Sequence, residues 1–418
     1  MVPETNAHFG WLAVALLLAS AMAGCASDTT DDEPETVRIG TLLPLTGSLN
    51  IFGPSGQDAI ELAVDDLNQL SALSGYTFEL ESGDTRTNQA ETPQEFARLL
   101  QAGVVAVIGA YSSGVTNSFL GNAVDNGVLV ITPASTAPSL VQRDNQGLFF
   151  RVPPSDALQG KVMAKVLDNA SITSVSTIFI NNDYGQGFND VMVDEFTTVY
   201  GGTVLDEIAI EDKQTNFNSE IAAAAEDDPD AIVFIGYPGE GTPLMRHAHD
   251  AGVLDTTPFF FSEGVYDPTF VDGVNTTADG DYILAGLKGT TPEVILTGEG
   301  SGDFGARYFQ KHGATPRLFA PQAYDAAIAI GLAAIAANSN DPAVFKDAMH
   351  DIWNAPGQTV SDLTLAVTLA KAGTDIDWSG PSGNFDWDEN GEPVGGIYAV
   401  WSVGEDGQLT IVERGIEA

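Results

Sequence analysis

Few residues of this sequence have the type and spacing that chemistry requires. Gly300-Ser301-Gly302-Asp303-Phe304-Gly305 spells G-x-G-x-x-G, with Asp325 downstream. The short TTPEVIL before it holds a proline, and Asp325 falls inside an alanine-rich helical pattern. The context for dinucleotide binding is therefore missing, and a glycine-rich loop is the better account. His247 and His249 stand two apart in LMRHAHDAG. On a helix they point to different sides, so an exposed pair is expected and not a metal site. The only cysteine is Cys25; there is no G-x-S-x-G elbow and no P-loop. No nucleophile–base set emerges. What remains are hydroxyls, tyrosines and an acid placed just after apolar runs: Ser112 and Ser113 after VVAVIG, Thr136 after VLVIT, Tyr237 after AIVFIG, and Glu263 after PFFFS. Paired hydroxyls and free N–H groups at a helix start suit an anion. Read on their own, the Ser and Thr positions serve equally as helix caps. The tyrosines fit a core, and Glu263 fits an acidic surface.

These runs belong to a regular alternation. VRIGTLLPL (37–45) reads as a buried strand, and 54–70 as a helix with apolar residues at Ile60, Ala63, Val64 and Leu67. TFELESG (77–83) alternates like a strand. Thr92-Pro93-Gln94-Glu95 reads as a capping box opening a helix to about Ala102. Strands at 104–109, 128–132, 176–180, 203–210, 231–237 and 258–264 alternate with helices near 187–199, 217–227 and 241–251. A helical tract follows, clearest at 322–337 and 341–352. Residues 384–403 read as two short strands around an Asn390-Gly391 turn. Alternation of this kind, with continuous apolar strands, indicates α/β architecture with helices on both faces of parallel sheets. Two such series occur, so two doubly wound lobes are expected. In open α/β sheets ligands bind beyond the carboxyl ends of the strands, where the residues named above fall.

Composition narrows the partners. Asp plus Glu number 58 against 16 Lys plus Arg, a net charge of −42. Such a chain lacks the basic footprint that nucleic acid or anionic lipid requires. The acids are dispersed, with no run longer than three, so they do not form an acidic tail. They read as adaptation to molar salt, where self-repulsion is screened. One cysteine excludes a disulfide framework and any multi-thiolate metal site. At the amino end WLAVALLLASAMA (11–23) is too short for a membrane span. It is followed by Gly24, Cys25 and an acidic stretch, the pattern of a cleaved signal peptide. No Lys or Arg precedes the apolar run.

Several loops, taken together, resemble one family. IGTLLPLTGSLNIFGPSGQDAIELAVDDLN, VVAVIGAYSSG, ITPASTAPSL, FFRVPPSDALQG, NNDYGQGF, DAIVFIGYPGEG and FDWDENGEPVGGIYAVW occur in order across 37–403. They resemble the leucine/isoleucine/valine-binding proteins, the type I periplasmic binding proteins of branched-chain amino acid ABC transporters. Ala21-Met22-Ala23-Gly24-Cys25 resembles the lipobox of prokaryotic lipoproteins. The resemblance implies two Rossmann-like lobes joined by three crossovers, near Arg151–Pro154, Ala285–Gly289 and Thr374–Gly380. That division gives a signal peptide at 1–24 and a lipid-anchored tether at 25–36. The N-terminal lobe is 37–152 plus 286–378, and the C-terminal lobe 153–285 plus 379–418. It implies no enzyme activity, no cofactor and no metal. A monomer on the outer face of the cell membrane, anchored through Cys25, would serve the permease subunits of an ABC importer. In the resemblance Ser112 and Ser113 hold an amino acid's carboxylate. Ala134 offers a carbonyl to the ammonium, and Thr136 a hydroxyl and amide to the carboxylate. Tyr237 touches the ligand, Glu263 pairs with the ammonium, and Phe52 covers the side-chain pocket. Tyr184 matches less closely. The ligand is expected to be an aliphatic amino acid. An amide or urea-type solute, or a role as sensing subunit of a membrane receptor, are the alternatives.

Overall fold

The computed structural model describes residues 34–293 and 303–417. Cys25, its apolar leader, and the first half of the 300–305 glycine motif therefore lie outside the described residues. From Glu35 onward the chain forms one unit built on two sheets.

The first sheet holds β1 (Glu35–Leu43), β2 (Tyr76–Asp84), β3 (Ala106–Gly109), β4 (Leu129–Thr132) and β5 (Phe149–Arg151), in the order β2-β1-β3-β4-β5. Every pairing is parallel. The central strands AVIG and LVIT are buried at every residue, because helices cover both faces. These include α1 (Gly53–Gln69), α2 (Thr92–Ala102) and α3 (Ser113–Asp125). The second sheet begins after α4 (Asp156–Asn169). It contains β6 (Ser174–Ile180), β7 (Thr203–Ile210), β8 (Ala231–Ile235) and β9 (Phe259–Phe261), with α5 (Asp183–Thr198) and α6 (Asn218–Ala224) and α7 (Pro238–Asp250) between them. It is completed by β10 (Lys288–Pro292), β13 (Ile397–Val403) and β14 (Leu409–Glu417), in the order β14-β13-β10-β9-β8-β6-β7, while β11 (Gln358–Val360) and β12 (Ile376–Trp378) form a small two-stranded pair of their own. Both sheets thus reverse strand order beside a central strand, the switch point at which α/β ligands bind.

Three details differ from the sequence reading. First, β10 (Lys288–Pro292) joins the second sheet, parallel to β9 and antiparallel to β13 (Ile397–Val403). The chain therefore leaves that sheet beyond Pro292 and not at Ala285–Gly289. The segment KGTTP holds a glycine and a proline, so it carries no local strand signal; open edges on β9 and β13 supply its partners. Second, residues 380–396 make no sheet strand. Asn390-Gly391 does turn, with Gly391 at φ 76°, but the turn closes only the isolated bridge Trp387–Pro393. Trp387 stacks on Trp353, with ring centroids 4.5 Å apart. The strand after it, β13, pairs instead with β14 (Leu409–Glu417). Third, the Thr92 capping box does not form. Glu91 is the N-cap without a side-chain bond; the Thr92 hydroxyl donates to Asn88 O at 2.8 Å, while Glu95 pairs with Arg98.

The long tract after α8 (Phe304–His312) is α9 (Ala320–Ala337), alanine-rich and buried along almost its whole length. It is apolar and long enough to cross a membrane, yet 89% of it is enclosed by the protein. Its small residues let neighbours close in: a Cβ on Gly331 would lie 2.6 Å from Leu67 of α1. His247 and His249 are half-buried on α7. The His247 ring accepts from Phe217 N at 3.3 Å, a packing role. Among the described residues no cluster of His, Cys, Asp and Glu could hold a metal ion.

Candidate ligand-binding site

The strand ends of the first sheet are held by hydroxyls. Gly109 closes β3 with its Cα so near β1 that a Cβ would lie 2.2 Å from Leu42 O, at φ +146°; only glycine tolerates both conditions. Beyond it Ser112 is the extended N-cap of α3 and Ser113 its first residue. Ser113 Oγ accepts from the backbone amides of Thr136 and Ala137 at 3.2 and 3.1 Å. Its own proton is thus left for another acceptor. Thr132, ending β4, donates to Ala110 O at 2.7 Å and accepts from Ser135 N at 2.9 Å. Thr116 and Ser135 share a hydroxyl bond of 2.7 Å. Two loops from two strands are in this way locked as one rigid, fully buried polar ledge that includes Ala134 and Thr136.

The second sheet presents aromatics and an acid. Tyr184, at the start of α5, and Tyr237, the N-cap of α7, stack with centroids 5.5 Å apart and planes 9° apart. Tyr184 donates to Ser262 Oγ at 2.8 Å. The Tyr237 hydroxyl meets the Asn182 amide at 3.4 Å and the Ser112 side chain of the other lobe. Glu263 follows β9 and is only 2% exposed. Gln159 Nε2 donates to its Oε2 at 2.8 Å. Burial, outweighing the bonds from Gln159, Tyr184 and its own backbone, pushes its carboxyl up to about 7. The turn at Gly264 presses on the end of β8, where a Cβ would lie 2.3 Å from Gly236 O.

These groups face one another across a cavity of about 30 Å³, room for roughly two or three waters, so a ligand of more than a few atoms is admitted only when the lobes part. Phe52, Ser113, Ala134, Thr136, Tyr184, Tyr237 and Glu263 all line it; Ser112 does not, and reaches it only through Tyr237. Sequence reasoning missed Leu49, Tyr111, Leu318 and Phe319, which complete an apolar end. Tyr111 follows β3 directly and was open to the same strand-end rule; its ring meets Phe319 edge-on at 6.2 Å. Leu318 and Phe319 precede α9, far from any strand end, and nothing local marks them. The lobes are shut. Asn117 Nδ2 donates to Asp183 Oδ2 at 2.8 Å, Ser48 Oγ to Asp212 Oδ1 at 3.2 Å, and Arg317 pairs with Asp267.

Behind the cavity, at the first passage between sheets, Arg151 is fully buried. Its guanidinium forks onto Glu392 and donates to Ala137 O at 3.0 Å. Asp156, also missed, is fully buried beside it. Burial first and the Glu263 charge second hold its carboxyl well above the usual range, against Thr136 and Arg151. The arrangement offers hydroxyl donors from one lobe, a carboxyl from the other and an apolar wall around one cavity.

Comparison with known proteins agrees with this geometry. The family described as "Periplasmic binding protein" matches residues 36–400. Over 381 residues the chain is 27% identical to the chemotactic signal transduction system substrate-binding protein BasB of Halobacterium salinarum, covering 87% of this chain and 86% of that one. The crystal structure of a leucine binding protein, LivK, from Thermotoga maritima aligns with TM-score 0.76 at 24% identity, covering 90% of this chain and 98% of that one. LivJ from Streptococcus pneumoniae, a branched-chain amino acid transporter substrate binding protein solved with isoleucine, aligns with TM-score 0.75 at 22% identity, covering 92% and 100%.

Proposed function

Because the chain belongs to the periplasmic binding protein family, a family of substrate-binding proteins, we propose that it is the extracytoplasmic solute-binding component of an ABC importer that closes on an aliphatic, branched-chain amino acid. The observation carrying this reading is the single cavity in which Ser113 and Thr136 of one lobe face Glu263 of the other, with Phe52 and Phe319 at its apolar end. The free Ser113 proton meets the ligand's carboxylate, Glu263 its ammonium, and the rings its side chain. A ligand held by groups from both lobes favours the closed arrangement by the free energy of those cross-lobe contacts. Cys25 carries the lipid anchor in this reading, and the acidic stretch after it is the tether.

A second reading, ligand sensing for a membrane receptor, is favoured by the similarity to a chemotactic substrate-binding protein. Both readings share the ligand site and differ in the membrane partner. The test is a thermal-shift panel of amino acids, amides, urea and aromatic acids in molar salt. Leucine, isoleucine or valine is expected to give the largest rise. A rise with amides or urea and none with amino acids overturns the assignment.

A further inference from the structure

Asp156 opens α4 where the chain passes from the first sheet to the second, and its side chain has no exposed surface. Neither carboxylate oxygen has a hydrogen-bond partner, and neither does Gln159 Oε1, one turn along the same helix. Three acceptors are thus buried on one helix turn, with the Thr136 hydroxyl the one side-chain donor toward Asp156 and none toward Gln159 Oε1 among the described residues, a costly arrangement unless a proton is supplied. The other groups around Asp156 cannot supply it. Arg151 is committed to Glu392 and to backbone carbonyls. Tyr184 donates to Ser262, and Tyr398 of β13 to Ser155 O at 3.2 Å. The Gln159 amide is spent on Glu263 and on Thr290 Oγ1 at 3.1 Å. Two carboxylates, Asp156 and Glu263, therefore face one buried region whose single cation is already paired. One ligand ammonium can neutralise only one of them, and the cavity is lined by Glu263 and not by Asp156.

We propose that Asp156 is a proton-carrying positioning residue of this site: when the lobes close on the ligand it takes one proton from solvent and donates it to Gln159 Oε1, which holds the Gln159 amide aimed at an ionised Glu263. The inference rests on the amino-acid reading above. One O–H bond forms at Asp156 and the proton comes from the acid form of the buffer, which becomes its base; the ammonium stays charged, and Glu263, ionised in the open cleft, stays ionised beside it. The upward displacement of the Asp156 carboxyl by burial and by Glu263 agrees with it. The sign follows from linkage. A group whose pKa is higher in the closed complex favours binding as pH falls, and its contribution is lost as pH rises through the closed-state value.

Titration calorimetry with leucine at pH 6.5 in molar KCl, repeated in buffers of different ionisation enthalpy, counts the protons. About one proton taken up per leucine is expected, with affinity falling by up to about tenfold per pH unit above that. Asp156→Asn, a neutral isostere that keeps a donor toward Gln159, is expected to bind within about threefold of the parent at pH 6.5 without proton uptake. Asp156→Ala, which removes the donor, is expected to bind at least about tenfold more weakly at every pH. Leucine binding by the parent with no proton exchange overturns the inference whether or not the variants fold, and so does uptake that persists in Asp156→Asn. If leucine fails to bind while an uncharged amide binds, the amino-acid reading falls. The same proton count, taken with that amide, still decides the role of Asp156: uptake lost in Asp156→Asn supports it, and no uptake overturns it.

Discussion

Replacing Glu263 by Gln tests the charge reading of the cavity. Glu263 is 2% exposed and its carboxyl stands at about 7 against an ordinary 4.5. Burial thus makes its charged form in the shut cleft less favourable than in water by about 3 kcal/mol. A ligand ammonium has to offset this cost, and truncating one member of such a buried pair costs about 3–5 kcal/mol. The loss corresponds to roughly a hundredfold to several-thousandfold in affinity at 1.4 kcal/mol per decade. Gln keeps the shape and can still accept from Gln159, so the lower end, about a hundredfold, is expected. The empty variant behaves in the opposite way: without a charge to bury it closes more readily, so small-angle scattering of the ligand-free protein should show a smaller radius of gyration. Titration calorimetry with leucine in molar KCl reads the first effect. Leucine bound by Glu263→Gln as tightly as by the parent would refute the argument that a buried carboxylate reads the ammonium.

Ser113→Ala leaves the amides of Thr136 and Ala137 without their acceptor. It should lower the stability of the empty protein by about 1–3 kcal/mol as well as weaken leucine binding about tenfold or more; weakened binding at an unchanged melting temperature would show that the hydroxyl does not brace the ledge. Glu392→Ala strands the buried Arg151 guanidinium, at a cost of about 3–5 kcal/mol. Denaturant unfolding followed by circular dichroism checks this, and a change below about 1 kcal/mol counts against the pair as a brace. With a net charge of −42, dialysis to about 10 mM salt, where the screening length grows to about 30 Å, is expected to abolish compact structure; native circular dichroism and ligand binding there would contradict adaptation to molar salt.

Much of this protein is local in origin. Short apolar runs bounded by turn residues, 104–109 and 128–132, read as strands covered on both faces, and the 3.6-residue spacing in 54–70 reads as an amphipathic helix. Their alternation dictates parallel sheets, and parallel sheets dictate that function gathers after the strand ends. That rule pointed to the segments after Gly109, Thr132, Tyr237 and Ser262, and the family resemblance singled out Ser113, Thr136, Tyr237 and Glu263 within them. Three things were decided only by tertiary structure. Lys288–Pro292 is a strand because two open edges flank it, not because its residues prefer to be one. Phe319 reaches Tyr111 because α9 packs against the first sheet, a long-range contact that no periodicity encodes. Asp156 looks like an ordinary first-turn acid of a helix, a place where a carboxylate usually meets water and the helix dipole. Its burial beside Glu263 comes from the packing of α4 on β10 of the second sheet, and the free energy of a charge depends on that surrounding far more than on its sequence neighbours.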